Sequence, residues 1–180
     1  VIRYLTTSEN VIELSTATFQ DSIHEILGRV LPNLSQEMKD LLVSSAVDRE
    51  RLRPTALPSG VAFPRIEFEG TGKIVCAVGL ADKGIVCGTE EIAVHTFFLT
   101  LYPKRLFKEF LPFLEHLVAF SQNPQKMALL RRVPVEKESF VVVQNEVLPW
   151  GAREWMRTHL VAPLVTMVNR VESVVRLHNG

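Results

Sequence analysis

The chain has 180 residues and a mass of 20.3 kDa, enough for one domain of ordinary size with a short appendage. Apolar residues make up 47% and charged residues 22%, a balance that excludes wholesale disorder. Lys plus Arg and Asp plus Glu both number 20, which argues against a dedicated nucleic-acid binder and against a polybasic membrane anchor.

The charge is uneven along the chain. Residues 1–50 hold 4 basic and 8 acidic side chains, whereas residues 101–132 hold 6 basic and 2 acidic ones. The basic stretch reads either as a solvated helix face or as a docking surface for an acidic protein partner. The most apolar candidate for a membrane span, residues 160–167, is far shorter than the roughly 18–20 residues a span requires, so no direct membrane insertion is expected. The start, Val1-Ile2-Arg3-Tyr4-Leu5, lacks both a signal-peptide layout and an initiator Met. It is read as part of a longer protein, with the cytoplasm as the expected location. Cys76 and Cys87 are too few for a disulfide framework or a Cys-based zinc site, and their apolar surroundings suggest buried thiols.

In chain order, Val11-Ile12-Glu13-Leu14 is a short strand. Residues 18–31 form a helix capped by Thr18 or Asp21, with Ile23, Ile26, Leu27 and Val30 on one face. Ser35 caps a second helix through about Val47. Residues 53–60, with two prolines and a glycine, are a loop, and Val61-Ala62-Phe63 is a strand ended by Pro64. A buried strand follows over 74–80, then a loop over 81–91 and a second buried strand over 93–101, closed by Pro103. An amphipathic helix spans 104–121, and Asn123-Pro124 opens a shorter one through Leu130. Strands interleaved with paired helices predict a three-layer α/β/α fold with a small mixed central sheet.

Residues 135–180 read as a separate strand and long helix appended to a domain over 1–134. Val161, Leu164, Val168, Val171 and Val175 recur at 3-4-3-4 spacing, the seam of a helix that packs on its own domain or pairs two copies into a homodimer.

The sequence carries no glycine-rich phosphate loop, His-Glu-x-x-His, Gly-x-Ser-x-Gly or Cys-x-x-Cys, so no cofactor or metal is implied. Its five histidines (His24, His95, His116, His159, His178) are scattered without ligand spacing. His95 is singled out because it interrupts an otherwise apolar strand; there an imidazole is either a hydrogen-bonded structural residue or a site residue.

One stretch carries a resemblance. Asp48 to Leu52, the loop 53–60 and Val61-Ala62-Phe63-Pro64-Arg65 resemble the core motif of the type-2 enzyme IIA domains of the bacterial sugar phosphotransferase system, in its fructose/mannitol and nitrogen-regulatory branches. In that family an Arg-Glu pair ends a helix, a Ser/Thr/Gly-rich loop follows, and a strand reads Gly-Ile-Ala-Ile-Pro-His. Arg49-Glu50, Thr55 and Gly60-Val61-Ala62-Phe63-Pro64 match without a gap. Residues 94–103 and Phe110-Leu111-Pro112-Phe113-Leu114 follow the family's order, extending the resemblance over about residues 9–132.

The departures bear on function. The resemblance implies a phosphoryl-accepting His after Pro64, and here that residue is Arg65. Phosphoryl transfer needs a neutral imidazole lone pair, and a guanidinium with a pKa above roughly 12 has none to offer. The family's second active-site His corresponds to Phe110. The resemblance therefore implies a degenerate IIA domain, a non-catalytic regulatory or binding module docking a phosphocarrier, regulatory or transport protein. Arg49, Arg65, Thr55 and Ser59 are its candidate anion-binding residues. The alternative is an active phosphocarrier using a relocated histidine, His95, with a helix N-terminus or Arg49 neutralising the phosphoryl charge.

Overall fold

The structure, a computed structural model, describes residues 10–132, apart from the side chains of His116 and Leu129. Residues 133–180, where a strand and a long helix were expected over 135–180 with Val161, Leu164, Val168, Val171 and Val175 on its seam, lie outside the described residues, and His159 and His178 with them. The elements in order are β1 (Val11–Glu13), α1 (Phe19–Val30), α2 (Gln36–Leu52), β2 (Val61–Ala62), β3 (Arg65–Glu67), β4 (Val75–Cys87), β5 (Ile92–Tyr102), α3 (Phe107–Ser121) and α4 (Pro124–Arg132).

Five strands form one mixed sheet. β5 lies at its centre, antiparallel to β4 and parallel to β2 and β3, which follow one another along its other edge; β1 pairs parallel with β4. Each face of the sheet buries its own apolar cluster. Ile23, Ile26, Leu27, Leu42, Val43 and Ala46 of α1 and α2 pack against Ile66, Phe97, Leu99 and Leu101. On the opposite face Phe110, Phe113, Leu117 and Phe120 of α3, with Met127 and Leu130 of α4, cover Phe63, Val78, Phe98 and Tyr102. Alternation along β5 sends Phe97, Leu99 and Leu101 to one cluster and Phe98 and Tyr102 to the other, which gives the expected three layers.

The helix starts follow from the sequence. Thr18 accepts the Asp21 N–H at 3.1 Å and Ser35 accepts the Met38 N–H at 3.2 Å, each supplying a partner to an otherwise orphaned donor. The second helix runs five residues past Val47 to Leu52, because Val47 and Glu50 continue to face the protein while Asp48 and Arg51 form an i,i+3 pair on the outside.

Two expectations are corrected. Residues 81–91 are mostly strand: β4 continues to Cys87, and only residues 88–91 turn. Asp82, Lys83 and Gly84 read as a loop because they sit in a register shift between Leu80 and Ile85, where the ladder breaks and polar residues face water. The strand opened by Val61 also resumes beyond Pro64 as β3. A proline is tolerated there because β2 and β3 lie at the sheet's edge, and the Pro64 carbonyl still accepts the Thr100 N–H at 3.0 Å.

Candidate functional site

The stretch from Arg49 to Arg65 is built around one buried carboxylate. Glu50, in the last turn of α2, is 6% exposed. It accepts the Thr55 backbone N–H at 2.7 Å, and the Thr55 hydroxyl lies 2.9 and 3.1 Å from its two oxygens. The same hydroxyl accepts the Phe63 N–H at 3.0 Å. Helix end, loop and edge strand are thus tied at a single point. Gly60, at φ +83°, closes the turn: its N–H reaches the Leu57 carbonyl at 2.9 Å, and its own carbonyl accepts from His95 N–H at 2.8 Å.

Beyond Pro64 the chain delivers Arg65 to the α3 face of the sheet, since its neighbour Ile66 is fully buried in the opposite cluster. Arg65 pairs with Thr100 in the parallel ladder. Its guanidinium is partly buried, and the Nε atom is shut off from solvent with no hydrogen-bond partner. Two residues along β5, Tyr102 stacks on Phe110 at 4.4 Å between ring centroids and 9° between planes. Arg49 Nη1 donates to the Tyr102 hydroxyl at 3.0 Å. Phe110, in the position the resemblance gives to a second histidine, is fully buried. Among the described residues no carboxylate forms an ion pair with Arg49 or Arg65, and the nearby Glu50 is held by Thr55.

His95 belongs to a different place. Its Nδ1 lies 3.1 Å from the Ala81 carbonyl, a bond that puts the proton on Nδ1 of the neutral ring and leaves the lone pair on Nε2. The ring is seated between two glycines. A β-carbon on Gly60 would lie 3.4 Å from His95 Cδ2, and one on Gly84 would lie 3.0 Å from both Cε1 and Nε2. His95 lines a groove of about 910 Å³ with Glu13, Ser15, Asp82 and Arg131. Tyr102, the partner of Arg49, is about 23 Å further along β5 at ~3.3 Å per residue, so Arg49 does not reach His95.

The structure therefore brings Arg49 and Arg65 to one corner of the sheet, commits the Thr55 hydroxyl to Glu50, and leaves Ser59 exposed beside Gly60, at the His95 end. Sequence reasoning missed Tyr102. The only signal was a hydroxyl-tipped aromatic at the end of an apolar strand. Both cysteines are free and buried. Burial pushes the Cys76 thiol up to about 12, and burial with the nearby Glu50 charge pushes Cys87 up to about 11. Among the described residues no group of three His, Cys, Asp or Glu side chains is placed to hold a metal, and no helix is long and apolar enough to cross a membrane.

No protein-family model matches the chain, and no curated protein matches it. Solved structures do. Nitrogen regulatory protein IIA-Ntr from Neisseria meningitidis superposes with a TM-score of 0.56 at 18% identity, covering 74% of this chain and 90% of that one. IIA mannitol from Escherichia coli gives 0.51 at 19% identity over 71% and 88% of the two chains. The Escherichia coli complex of enzyme IIA mannitol with phosphorylated enzyme IIB mannitol gives 0.51 at 19% identity over 70% and 85%. At these identities the likeness concerns architecture: the chain has the fold of the enzyme IIA domains.

Proposed function

We propose that this chain is a non-catalytic docking module on the enzyme IIA scaffold, one that engages a protein partner and takes up no phosphoryl group at the position after Pro64. The observation that carries the reading is Arg65: the residue presented at the end of the Gly60–Pro64 run is a guanidinium, which has no lone pair with which to attack phosphorus. The buried Tyr102–Phe110 stack supports it, because neighbouring space is filled by rings and Arg49 is spent on the Tyr102 hydroxyl. The partner belongs to the class that enzyme IIA domains engage, of which phosphorylated enzyme IIB in the Escherichia coli complex is one example. A role in sugar-transport or nitrogen regulation, in the cytoplasm, completes the reading.

The test is an intact mass after mixing the chain with phosphoenolpyruvate, enzyme I and the histidine phosphocarrier protein, with an active enzyme IIA alongside. The control gains a phosphoryl mass and this chain gains none. Labelling of this chain overturns the reading.

One observation favours a second reading, phosphoryl transfer at His95. The Ala81 carbonyl fixes the tautomer that leaves Nε2 free. That nitrogen would attack the phosphorus of a phosphohistidine donor, whose P–N bond breaks as the donor imidazole leaves. Glu13 and Asp82 in the same groove oppose the incoming charge, with Arg131 as the single cation among its lining residues. If the chain is labelled, His95→Asn abolishes the label on this reading; a surviving label excludes it. Homodimerisation through residues 161–175 is likewise proposed, and sedimentation after truncation at Leu148 tests it: an unchanged dimer excludes that helix as the interface.

A further inference from the structure

Glu50 carries a buried charge that the fold hydrogen-bonds but does not neutralise. An ionised carboxylate has about four lone-pair sites for donors. Thr55 fills two of them, with its N–H at 2.7 Å and its hydroxyl at 2.9 Å. Among the described residues no cation forms an ion pair with Glu50. A buried charge is costly unless it is both hydrogen-bonded and paired. This one is felt by its neighbour: burial first, and the Glu50 charge second, push the Cys87 thiol up to about 11.

Glu50 and Cys87 line a cavity of about 200 Å³ between the end of α2, the start of the loop that follows it and the far end of the β4–β5 hairpin. Phe19, Val47, Pro54 and Val86 give it apolar walls, and Val86, 63% exposed, stands at its mouth. The volume lies below the roughly 300–1,000 Å³ of sites for drug-sized ligands, so the cavity suits a short chain. Apolar walls around one buried carboxylate match a cation at the tip of an aliphatic stem. Thr55 decides which cation. It already engages both Glu50 oxygens, so the paired bonds of a guanidinium fork compete with it, whereas an ammonium is a compact point charge with rotatable donors.

We infer that this cavity is a binding site for a short alkylammonium group, with Glu50 as its counter-ion. The stem lies against Phe19, Val47 and Val86, and the ammonium donates to the Glu50 lone pairs that Thr55 leaves open. The chemistry has two sources, a free alkylamine or the side chain of a lysine on another protein. Arg51, which also lines the cavity, is the internal alternative as counter-ion; it is exposed and lies 3.6 Å from Asp48 instead. The site stands apart from the docking reading, because neither Arg65 nor His95 takes part in it.

The test is a backbone-amide NMR titration of the full chain at neutral pH and low salt with n-butylammonium chloride, with n-butanol and sodium chloride as controls. The expected result is saturable binding of the amine with shifts on residues 50–54 and 86–89. The alcohol, which has the stem but no charge, binds at least about tenfold more weakly. Glu50→Gln lowers amine binding to the level of the alcohol, and its own spectrum reports whether that variant is folded. Val86→Trp leaves Glu50 in place and fills the mouth of the cavity, so it too weakens the amine at least about tenfold. A capped Gly-Lys-Gly peptide, with its Nε-acetyl form as control, separates the sources. Binding at least as tight as that of n-butylammonium identifies a lysine side chain; weaker binding identifies the free amine. The inference is overturned if amine and alcohol behave alike, if the parent chain binds neither, or if a folded Glu50→Gln or Val86→Trp binds the amine as the parent does. Binding that appears only in Arg51→Gln also overturns it, since Arg51 would then be the counter-ion. Phosphoryl labelling of the chain removes the docking reading and leaves this site as it is.

Discussion

Arg49 and Tyr102, 53 residues apart in sequence, are joined by a hydrogen bond of 3.0 Å across the edge of the sheet. It links the layer formed by α2 to the aromatic cluster under α3, and so couples the end of the helix that leads into the loop with the ring stack beside Arg65. Tyr102→Phe keeps the stack on Phe110 and removes only the hydroxyl, so it is expected to lower stability by about 0.5–1.5 kcal/mol. Phe110→Ala empties a fully buried position and is expected to cost about 3–5 kcal/mol. Urea unfolding of both variants checks the order. A Tyr102→Phe loss as large as that of Phe110→Ala would mean the hydroxyl bond, not ring packing, holds this corner.

The Glu50–Thr55–Phe63 junction predicts a different pattern. Thr55→Val keeps the shape but leaves a buried carboxylate short of a donor and the Phe63 N–H without its acceptor, so a loss of roughly 1–3 kcal/mol is expected. Thr55→Ser retains both contacts and should stay within about 0.5 kcal/mol of the parent. Thermal melts of the pair separate a hydroxyl effect from a packing effect, and equal losses would show that the methyl group matters more.

The seat of His95 is sensitive to single carbons. Gly84→Ala places a β-carbon 3.0 Å from the ring at a backbone φ of +75°, and Gly60→Ala places one 3.2 Å from the Ala93 carbonyl at φ +83°. Each is expected to destabilise by about 1–2 kcal/mol from the left-handed backbone alone. In the parent chain, nitrogen NMR of the neutral His95 ring should show the proton on Nδ1 and a bare Nε2. The opposite tautomer would mean that the Ala81 contact is not the hydrogen bond that sets the ring.

The two thiols give a pH dependence. Both titrate higher in the folded chain than their ordinary value of 9.0, Cys76 at about 12 and Cys87 at about 11. Between those values the folded state holds more protons than the unfolded one, so stability falls as pH rises from about 9 and levels off beyond the folded values. At pH 8 both should resist a thiol reagent in the native state and react on denaturation. Rapid labelling of either thiol without denaturant would contradict its burial.

Much of the fold is legible in the sequence for local reasons. Thr18 and Ser35 mark helix starts because a side-chain oxygen three residues before an orphaned N–H is a short-range device. The apolar faces of α1 and α3 show at helical period, and the buried strands show as continuous apolar runs. The continuation of β4 past Ala81 was hidden, since Asp82-Lys83-Gly84 has loop composition and is held in the ladder only by its partner strand. β3 was hidden behind Pro64, whose tolerance depends on an edge position that no local pattern reveals.

The candidate site divides in the same way. That Arg65 follows Pro64, and that a guanidinium cannot act as an imidazole, is a matter of residue identity and needs no coordinates. That Arg49 bonds Tyr102, that Thr55 is held by Glu50 and not free for an anion, and that Ser59 and His95 share the far end of the strand are matters of which side chains long-range pairing brings together. The sequence by itself determined the chemistry available at each position, because that is a property of the side chain. Only the tertiary structure decided which of these groups meet, because hydrogen bonds and charge pairs act over a few ångströms and the chain must fold before residues 53 positions apart come within that range.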